Sequence, residues 1–266
     1  MPGVGAFIDG IGLVGPGLPN WTVGEAVLSG NASYVEQLVE LPAAATLPPA
    51  ERRRVGRVVK LALAIGYQAA AAAGQDPARL AAVFTASGAD GDTCHEICQM
   101  LATSDRQISP TRFHNSVHNA PAGYWSIAAG AMAPSTSLCA FDGSFGAGLL
   151  EAICQVLAAR NPVLLIAYDT GYPEPLNRAR PISDAFGIAL LLSPGRGEPT
   201  LGRVDVELTA DAADVIADPA LESLRTGYPA ARGLPLLVAL ARRQARRQVL
   251  DYLDHRRLAV TSTPCR

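Results

Sequence analysis

The chain has almost no lysine. Its 22 basic residues are 21 arginines and Lys60, a bias that we attribute to coding preference rather than to function. With 24 acidic residues the formal net charge is −2, which gives no electrostatic reason to expect a nucleic acid or an anionic membrane as partner. Long apolar runs are missing too. No uncharged stretch approaches the roughly 18 residues of a membrane-spanning helix, so we expect no membrane span.

Signals for secretion and for disulfide pairing are also absent. The N-terminal residues lack the basic segment and the unbroken apolar run of a signal peptide. Five cysteines, an odd number in a chain of this size, favour reduced thiols. We therefore expect a cytoplasmic protein whose cysteines are free, namely Cys94, Cys98, Cys139, Cys154 and Cys265.

Strand-like and helix-like segments alternate along the first two thirds of the chain. Short apolar runs predict strands at Ala6–Asp9, Leu80–Thr85, Ser137–Phe141, Val163–Tyr168 and Phe186–Leu192. Stretches rich in alanine and leucine predict helices at Arg53–Ala73, Cys94–Ala102, Gly123–Gly130 and Ser144–Ala159. Several strand candidates are apolar on both faces, as in a sheet covered by helices. The alternation predicts an α/β layered fold.

The last third of the chain has a less regular pattern. Val204–Leu208 alternates like a strand, and we predict a helix at Leu234–Leu250 followed by a strand at Leu258–Thr263. That helix would carry one arginine-rich face. We interpret this face as solvated, with docking of an acidic partner such as acyl carrier protein as the alternative; its residues are Arg242, Arg243, Arg246 and Arg247.

Two motifs associated with ligands in other proteins are interpreted as structural. Gly10–Gly15 matches the dinucleotide pattern Gly-x-Gly-x-x-Gly, but Pro16 follows at once and breaks the helix that the pattern needs, so we predict a tight turn. Cys94 and Cys98 share a helical face, but His95 points elsewhere and there is no second ligand cluster. The sequence therefore predicts neither a bound cofactor nor a metal.

The stretch Pro134–Ala152 is the most informative part of the sequence. The stretch begins with Pro-Ser-Thr-Ser, contains the strand candidate Ser137–Phe141 and continues as a helix rich in small residues. The stretch resembles the nucleophile elbow of β-ketoacyl synthases, where a cysteine stands at the start of a buried helix. The helix dipole and free N–H groups there lower the thiol pKa and hold the thioester oxyanion. On this alignment Asp142 takes the place of the cysteine.

Further segments extend the resemblance to β-ketoacyl synthases. Ile108–Gly123 is similar to their Ile-Ser-Pro…Asn-x-x-Ala-Gly segment and lies at the same distance from the elbow. Similar matches at Ala6–Gly17, Arg52–Gly74 and Phe84–Ala89 bring the covered region to roughly residues 6 to 192. Within this superfamily, the chain most resembles the short ketosynthase-like N-terminal domain family of aryl-polyene and related pigment gene clusters.

The resemblance implies a truncated thiolase-like fold. We expect one five-stranded mixed sheet with helices on both faces, in a single domain over 1–266 whose core is about 6–192 and whose C-terminal extension is 193–266. The second thiolase-like repeat is missing, and none of the four histidines lies in the context of the family's two catalytic histidines. Asp142 would be a poor acyl-transfer nucleophile, so we expect it to cap the helix instead.

The resemblance also implies a function and partners. The chain would pair with a full-length β-ketoacyl synthase in type II fatty-acid or aryl-polyene biosynthesis, in the manner of a chain-length factor, on substrates held by acyl carrier protein. Alone it would be a homodimer or poorly soluble. The residues expected to line the partner's acyl tunnel are Arg112, Phe113, His114, Ser116 and Val117. The strand expected to form the dimer interface consists of Ser135, Thr136, Ser137, Leu138 and Cys139.

Two other functions stay open at this point. The first is a stand-alone acyl transferase or decarboxylase using Asp142 or Cys139, although Cys139 would point away from the nucleophile position in an extended strand. The second is a homodimeric scaffold with no tunnel role. The pair His114 and His118 also allows acid/base or metal chemistry. We prefer the interpretation in which this segment lines the partner's tunnel.

Overall fold

The computed structural model, which describes residues 4–265, is built around one mixed sheet of eight strands. The strands are β1 (Val4–Val14), β2 (Ala81–Thr85), β3 (Ser135–Leu138), β4 (Val163–Asp169), β5 (Phe186–Ser193), β6 (Gly202–Thr209), β7 (Arg246–Leu253) and β8 (Arg256–Pro264). The helices are α1 (Trp21–Ser29), α2 (Pro49–Arg52), α3 (Arg57–Ala72), α4 (Gly91–Leu101), α5 (Pro110–Asn115), α6 (Ala120–Ala129), α7 (Ser144–Ala159), α8 (Leu176–Ala179), α9 (Pro219–Gly227) and α10 (Leu234–Ala241). Short 3-10 turns lie at Pro77–Arg79, Phe141–Gly143 and Pro229–Gly233.

The strand order divides the sheet into two parts. It runs β3-β2-β4-β5-β1-β6-β8-β7, with β3, β2 and β4 parallel and the other neighbours antiparallel. The first five strands form the expected mixed sheet, and the α/β class is confirmed. The expected total of five strands is wrong, because β6 pairs with the other edge of β1 and brings β8 and β7 into the same sheet. This pairing satisfies N–H and C=O groups that a free β1 edge would expose.

Two hydrophobic cores lie on opposite faces of the sheet. All seven residues of β4 are buried, as its apolar sequence predicted. Leu164 and Ile166 belong to the core beneath α3 and α6, whereas Leu165 and Ala167 belong to the core beneath α7 and α10. Helices therefore cover both faces of the central strands, which explains why these strands are apolar on both sides.

Close packing of α3 explains the glycine motif near the N-terminus. Strand β1 continues past Asp9, its predicted end, to Val14, so most of the motif lies in the strand. The predicted tight turn follows directly, because the N–H and C=O groups of Gly15 bond to those of Leu18. A Cβ atom at Gly10 or Gly12 would overlap the carbonyl oxygens of Ala69 and Ile65 in α3. The glycines let the helix backbone approach the strand directly.

The helix predicted at Leu234–Leu250 is wrong in its second half. Helix α10 ends at Ala241, and the chain then turns at Arg243, whose φ of 50° is left-handed. From Arg246 the chain is strand, because pairing with β8 outweighs the helix propensity of the segment. The four arginines therefore lie on a turn and on an edge strand, and they do not form one helix face.

Helix α7 is enclosed between the sheet and the C-terminal third of the chain. The side chains of Phe145, Leu149 and Ile153 are fully buried. Gly233 lies against the ring of Phe145, and Gly143, just before α7, lies against the carbonyl oxygen of Tyr252 at the end of β7; a Cβ at either glycine would overlap its neighbour. The C-terminal extension thus covers the helix on which the elbow is built.

Replacing Gly143 with alanine should lower the free energy of unfolding by about 1–3 kcal/mol, because an extra methyl group would be forced against the backbone of β7. Urea denaturation followed by circular dichroism measures this change. Gly123→Ala is the matched control: Gly123 lies in α6 with open space around its Cβ position, so alanine should stabilise by about 0.5–1 kcal/mol. Equal effects of the two substitutions would contradict the close contact at Gly143.

Candidate functional site

The chain leaves β3 through a tight turn that leads directly into α7. Strand β3 covers Ser135–Leu138, earlier than the predicted Ser137–Phe141, because Phe141 has a left-handed φ of 50° and the 3-10 turn Phe141–Gly143 begins there. The hydroxyl of Ser144 donates to the carbonyl of Phe141 and accepts from the N–H of Ala140. We call residues 140–144 the elbow.

Asp142 is held in an ion pair rather than at a helix cap. Its Oδ1 accepts a hydrogen bond from Nη2 of Arg180 at 2.7 Å, whereas the capping position of α7 is Gly143 and has no side-chain hydrogen bond. The predicted N-cap role of Asp142 is therefore wrong. The physical reason is that Arg180, most of whose side chain is buried, offers a charged donor that turns the carboxylate away from the helix N–H groups.

Arg180 also packs against the aromatic ring of Phe141 in the elbow. Its guanidinium carbon lies 3.6 Å from the centre of the Phe141 ring, a cation–π contact. Such a contact contributes about 0.5–1 kcal/mol at a partly exposed site, and a partly exposed ion pair contributes a similar amount. Together they keep the Asp142 carboxylate engaged with a cation. An engaged carboxylate is a weaker nucleophile still, so this arrangement does not supply acyl-transfer chemistry.

Cys139 contacts a backbone carbonyl group. Its thiol donates to the carbonyl oxygen of Ser87 at 3.3 Å, and the side chain is exposed. A reactive cysteine needs a nearby histidine, lysine, arginine or helix N-terminus to stabilise its thiolate. The polar contact that the structure shows for Cys139 is this carbonyl oxygen, which is neither a cation nor a side-chain base.

A buried carboxyl group connects the elbow region to the C-terminal cover. Asp169 ends β4 and is buried. Its Oδ1 accepts from the N–H and the hydroxyl of Ser87, and its Oδ2 accepts from the N–H of Ala230. Burial raises the pKa of Asp169 to about 6, while these hydrogen bonds and Arg180 oppose a larger rise. The carboxyl group thus joins the ends of β2 and β4 to the turn at Pro229–Gly233.

The segment predicted to line a partner's tunnel is largely exposed and anchored by one buried residue. Asn115 donates to the carbonyl of Arg54 and accepts from the hydroxyl of Tyr124. On this anchor the predicted tunnel residues Arg112, Phe113, His114 and Val117 are exposed and Ser116 is half-buried; the Phe113 side chain is 64% exposed. The segment therefore presents its side chains outward from a fixed base.

The two histidines of this segment contact different groups. His114 makes an edge-to-face contact with the ring of Tyr124, and a ring nitrogen of His118 lies 3.3 Å from the carbonyl oxygen of Ala86. Arg112 pairs instead with Glu96 of α4 at 2.6 Å. Over residues 4–265, no three His, Cys, Asp or Glu side chains are placed to hold a metal ion.

Strand β3 is an uncharged edge of the sheet. The carbonyls of Pro134 and Leu138 accept from β2, so by the alternation of a strand the N–H and C=O groups of Ser135 and Ser137 point outward, away from β2. The opposite edge, β7, begins with two exposed arginines instead. Exposed apolar side chains flank β3, with Met132 95% exposed; they include Ile127, Met132, Phe141 and Leu157.

Sequence reasoning missed three residues of this region. Arg180 lies 38 positions from Asp142, and no local pattern indicates their pairing. Phe141 precedes Asp142, but its left-handed backbone, with a φ of 50°, has no sequence signature. Sequence reasoning assigned no role to Asn115, which lies between His114 and His118. A single amide side chain among residues expected to be exposed is the signal that could have indicated its buried, anchoring role.

The fold and the elbow together define a protein of the thiolase-like ketosynthase class. A family model for the N-terminal domain of β-ketoacyl synthases matches residues 28–246, and the chain belongs to this family. No curated protein matches the chain. No helix in residues 4–265 is long and apolar enough to cross a membrane.

Solved structures with a similar fold include ketosynthase complexes. A chain of the ketosynthase ApeO in complex with its chain length factor ApeC, from Xenorhabdus doucetiae, is 24% identical with a TM-score of 0.73; the match covers 96% of this chain and 98% of that one. A chain of the ishigamide ketosynthase/chain length factor is 14% identical with a TM-score of 0.74, covering 98% and 99%. A chain of AntDE:AntF, a type II polyketide synthase acyl carrier protein in complex with its ketosynthase, is 11% identical with a TM-score of 0.72, covering 98% and 99%.

Asp169 should make the stability of the protein fall as the pH rises. Because the folded-state pKa is raised to about 6, the stabilisation is complete below the unfolded-state pKa and is lost as the pH rises through about 6. Relative to Asp169→Asn, the wild type should lose on the order of 3 kcal/mol between pH 4 and pH 7. Urea denaturation at several pH values measures the difference, and parallel pH profiles for the two proteins would contradict the assignment.

Proposed function

We propose that the chain is a non-catalytic ketosynthase homologue, similar to a chain-length factor, that pairs with an intact β-ketoacyl synthase and shapes its acyl tunnel. One observation carries this proposal. The elbow keeps its strand–turn–helix geometry, yet the residue at the nucleophile position, Asp142, is an anion paired with Arg180 and lying beside Phe141. The partner's cysteine and histidines would perform the condensation.

The similar structures support a paired role. Two of them are described as a ketosynthase with its chain length factor, and the matched chains are covered over 98% and 99% of their length. The pathway we propose is type II fatty-acid or aryl-polyene biosynthesis in the cytoplasm. Substrates would be presented by acyl carrier protein, which is part of the third similar structure. Residues 1–266 would act as one domain, since the extension 193–266 adds its strands to the same sheet.

Strand β3 is where we place the interface with the partner. The outward N–H and C=O groups of Ser135 and Ser137 are free to extend the sheet into a second subunit, and no charge on Ser135–Cys139 opposes this. The exposed apolar residues on either side would be buried at the same time. An obligate interface of this kind should bury more than roughly 2,000 Å² in total.

A stand-alone enzyme is less well supported. Asp142 is occupied by Arg180, and Cys139 faces a carbonyl oxygen rather than a base. A homodimeric scaffold would also use the β3 edge as its interface. It would leave the exposed side chains of α5 without an acyl chain to contact. The paired role accounts for both the free edge and the outward side chains of the tunnel segment.

Replacing Ser137 with proline should weaken the complex with the ketosynthase at least tenfold. Proline removes the outward N–H and places its ring in the partner's path, while the inward hydrogen bonds to β2 remain. Titration of the purified subunits, followed by light scattering, measures the dissociation constant.

Ser137→Thr is the control for this experiment, because threonine keeps the N–H group and suits a strand. It should bind as the wild type does. Wild-type affinity for the proline variant would show that the partner does not pair with β3.

Phe113→Ala should lengthen the acyl product made by the reconstituted pair, and Ser116→Phe should shorten it. Burial of each further methylene of the acyl chain contributes about 0.8 kcal/mol. A side chain that blocks the end of the tunnel therefore has to oppose only this modest gain to stop elongation. Condensation should continue in both variants, because the reacting groups belong to the partner. Mass spectrometry of the products at matched complex concentration reads the chain length.

The control for the tunnel experiment is Leu38→Ala, which truncates an exposed apolar side chain outside the segment. It should leave product length unchanged. If all three variants give the wild-type product while the complex forms normally, the chain supports its partner without measuring the acyl group.

A further inference from the structure

A cavity of about 430 Å³ opens beside β7, at the end of the sheet opposite the proposed interface strand. Its volume lies within the range of about 300–1,000 Å³ that is typical of small-molecule sites. Helices α1, α9 and α10 and the loop at 214–218 form its walls. Much of the lining is apolar, contributed by Val27, Ile216, Leu221, Pro235 and Val238.

The carboxylates of this cavity are already engaged. Asp214 lies 3.6 Å from the guanidinium of Arg246, and Asp218 caps α9 by accepting from two backbone N–H groups. The remaining cation, Arg242, makes no ion pair with any residue in 4–265. Its Nε donates to the carbonyl of Leu28 at 3.2 Å, which fixes the guanidinium at the mouth of the cavity.

A second, open groove adjoins the cavity at Arg242 and brings in Arg243. Arg243 has a left-handed φ of 50° and no ion pair with a described residue. A long side chain at such a backbone position is strained, whereas glycine would not be. Glu25 is the carboxylate that lines this groove together with Arg242 and Arg243, so the formal charge of the groove lining is positive.

We propose that the cavity binds a single-chain anionic amphiphile, with a carboxylate or phosphate head on Arg242 and Arg243 and an aliphatic tail against Val27, Leu221 and Val238. The guanidinium groups match the geometry of either head. Tyr34, also in the wall, stays neutral and does not repel an anion, because burial, with smaller contributions from nearby acidic groups, raises its pKa to about 12.

Calorimetric titration of the full chain tests the site with decanoate and decyl phosphate, each below its micelle concentration. Decanol and acetate serve as ligands lacking the charged head or the tail, and each should bind at least tenfold more weakly. Shortening decanoate to octanoate should weaken binding, by up to about fourfold for each methylene removed. Binding of decanoate alone identifies a carboxylate head, and binding of decyl phosphate alone identifies a phosphate head.

Three variants complete the test. Arg242→Gln should weaken binding at least tenfold, and Ala220→Trp should abolish it by filling the cavity from an exposed position of α9. Arg53→Gln, an exposed arginine outside the cavity, should bind as the wild type does. Binding of neither amphiphile, equal binding of decanol, or unchanged affinity of folded Arg242→Gln would overturn the proposal. No ketosynthase is needed, so the result is independent of the proposed pairing.

Discussion

Burial of α7 is the constraint on which the rest of the structure depends. The side chains of Phe145, Leu149 and Ile153 on this helix are fully buried, and each contributes about 1.5–3 kcal/mol through removal from water. One side of the helix packs on the central strands. The other side is covered by the turn at 229–233 and the end of β7. The C-terminal extension is therefore an integral part of the core and not an appendage.

The elbow depends on that burial. Because α7 is fixed, the turn before it is fixed, and Phe141 and Asp142 are held at the end of β3 where Arg180 can reach both. The ion pair and the ring contact are individually weak, so they select a local arrangement rather than stabilise the fold. Their consequence is local: the carboxylate of Asp142 is paired with Arg180 at the turn that leads into α7.

Much of the central fold could be predicted from sequence because its signals are local. The apolar run of β4 and the small, apolar residues of α7 both report burial on several sides. Local signals failed where distant residues decide the outcome. Arg246–Leu253 is a strand because β8 pairs with it, and Asp142 leaves the helix N-terminus because Arg180 attracts it. The anchor at Asn115 of the segment predicted to line a tunnel required the structure, because its partners are Arg54, which is distant in sequence, and Tyr124.

The central claim is that this chain supports condensation without carrying the acyl group. The most direct measurement is intact mass spectrometry of both subunits of the reconstituted pair during turnover with an acyl thioester. The account predicts acylation of the ketosynthase subunit only, with this chain at its unmodified mass. Turnover accompanied by an acyl adduct on this chain, at Asp142 or Cys139, would contradict it.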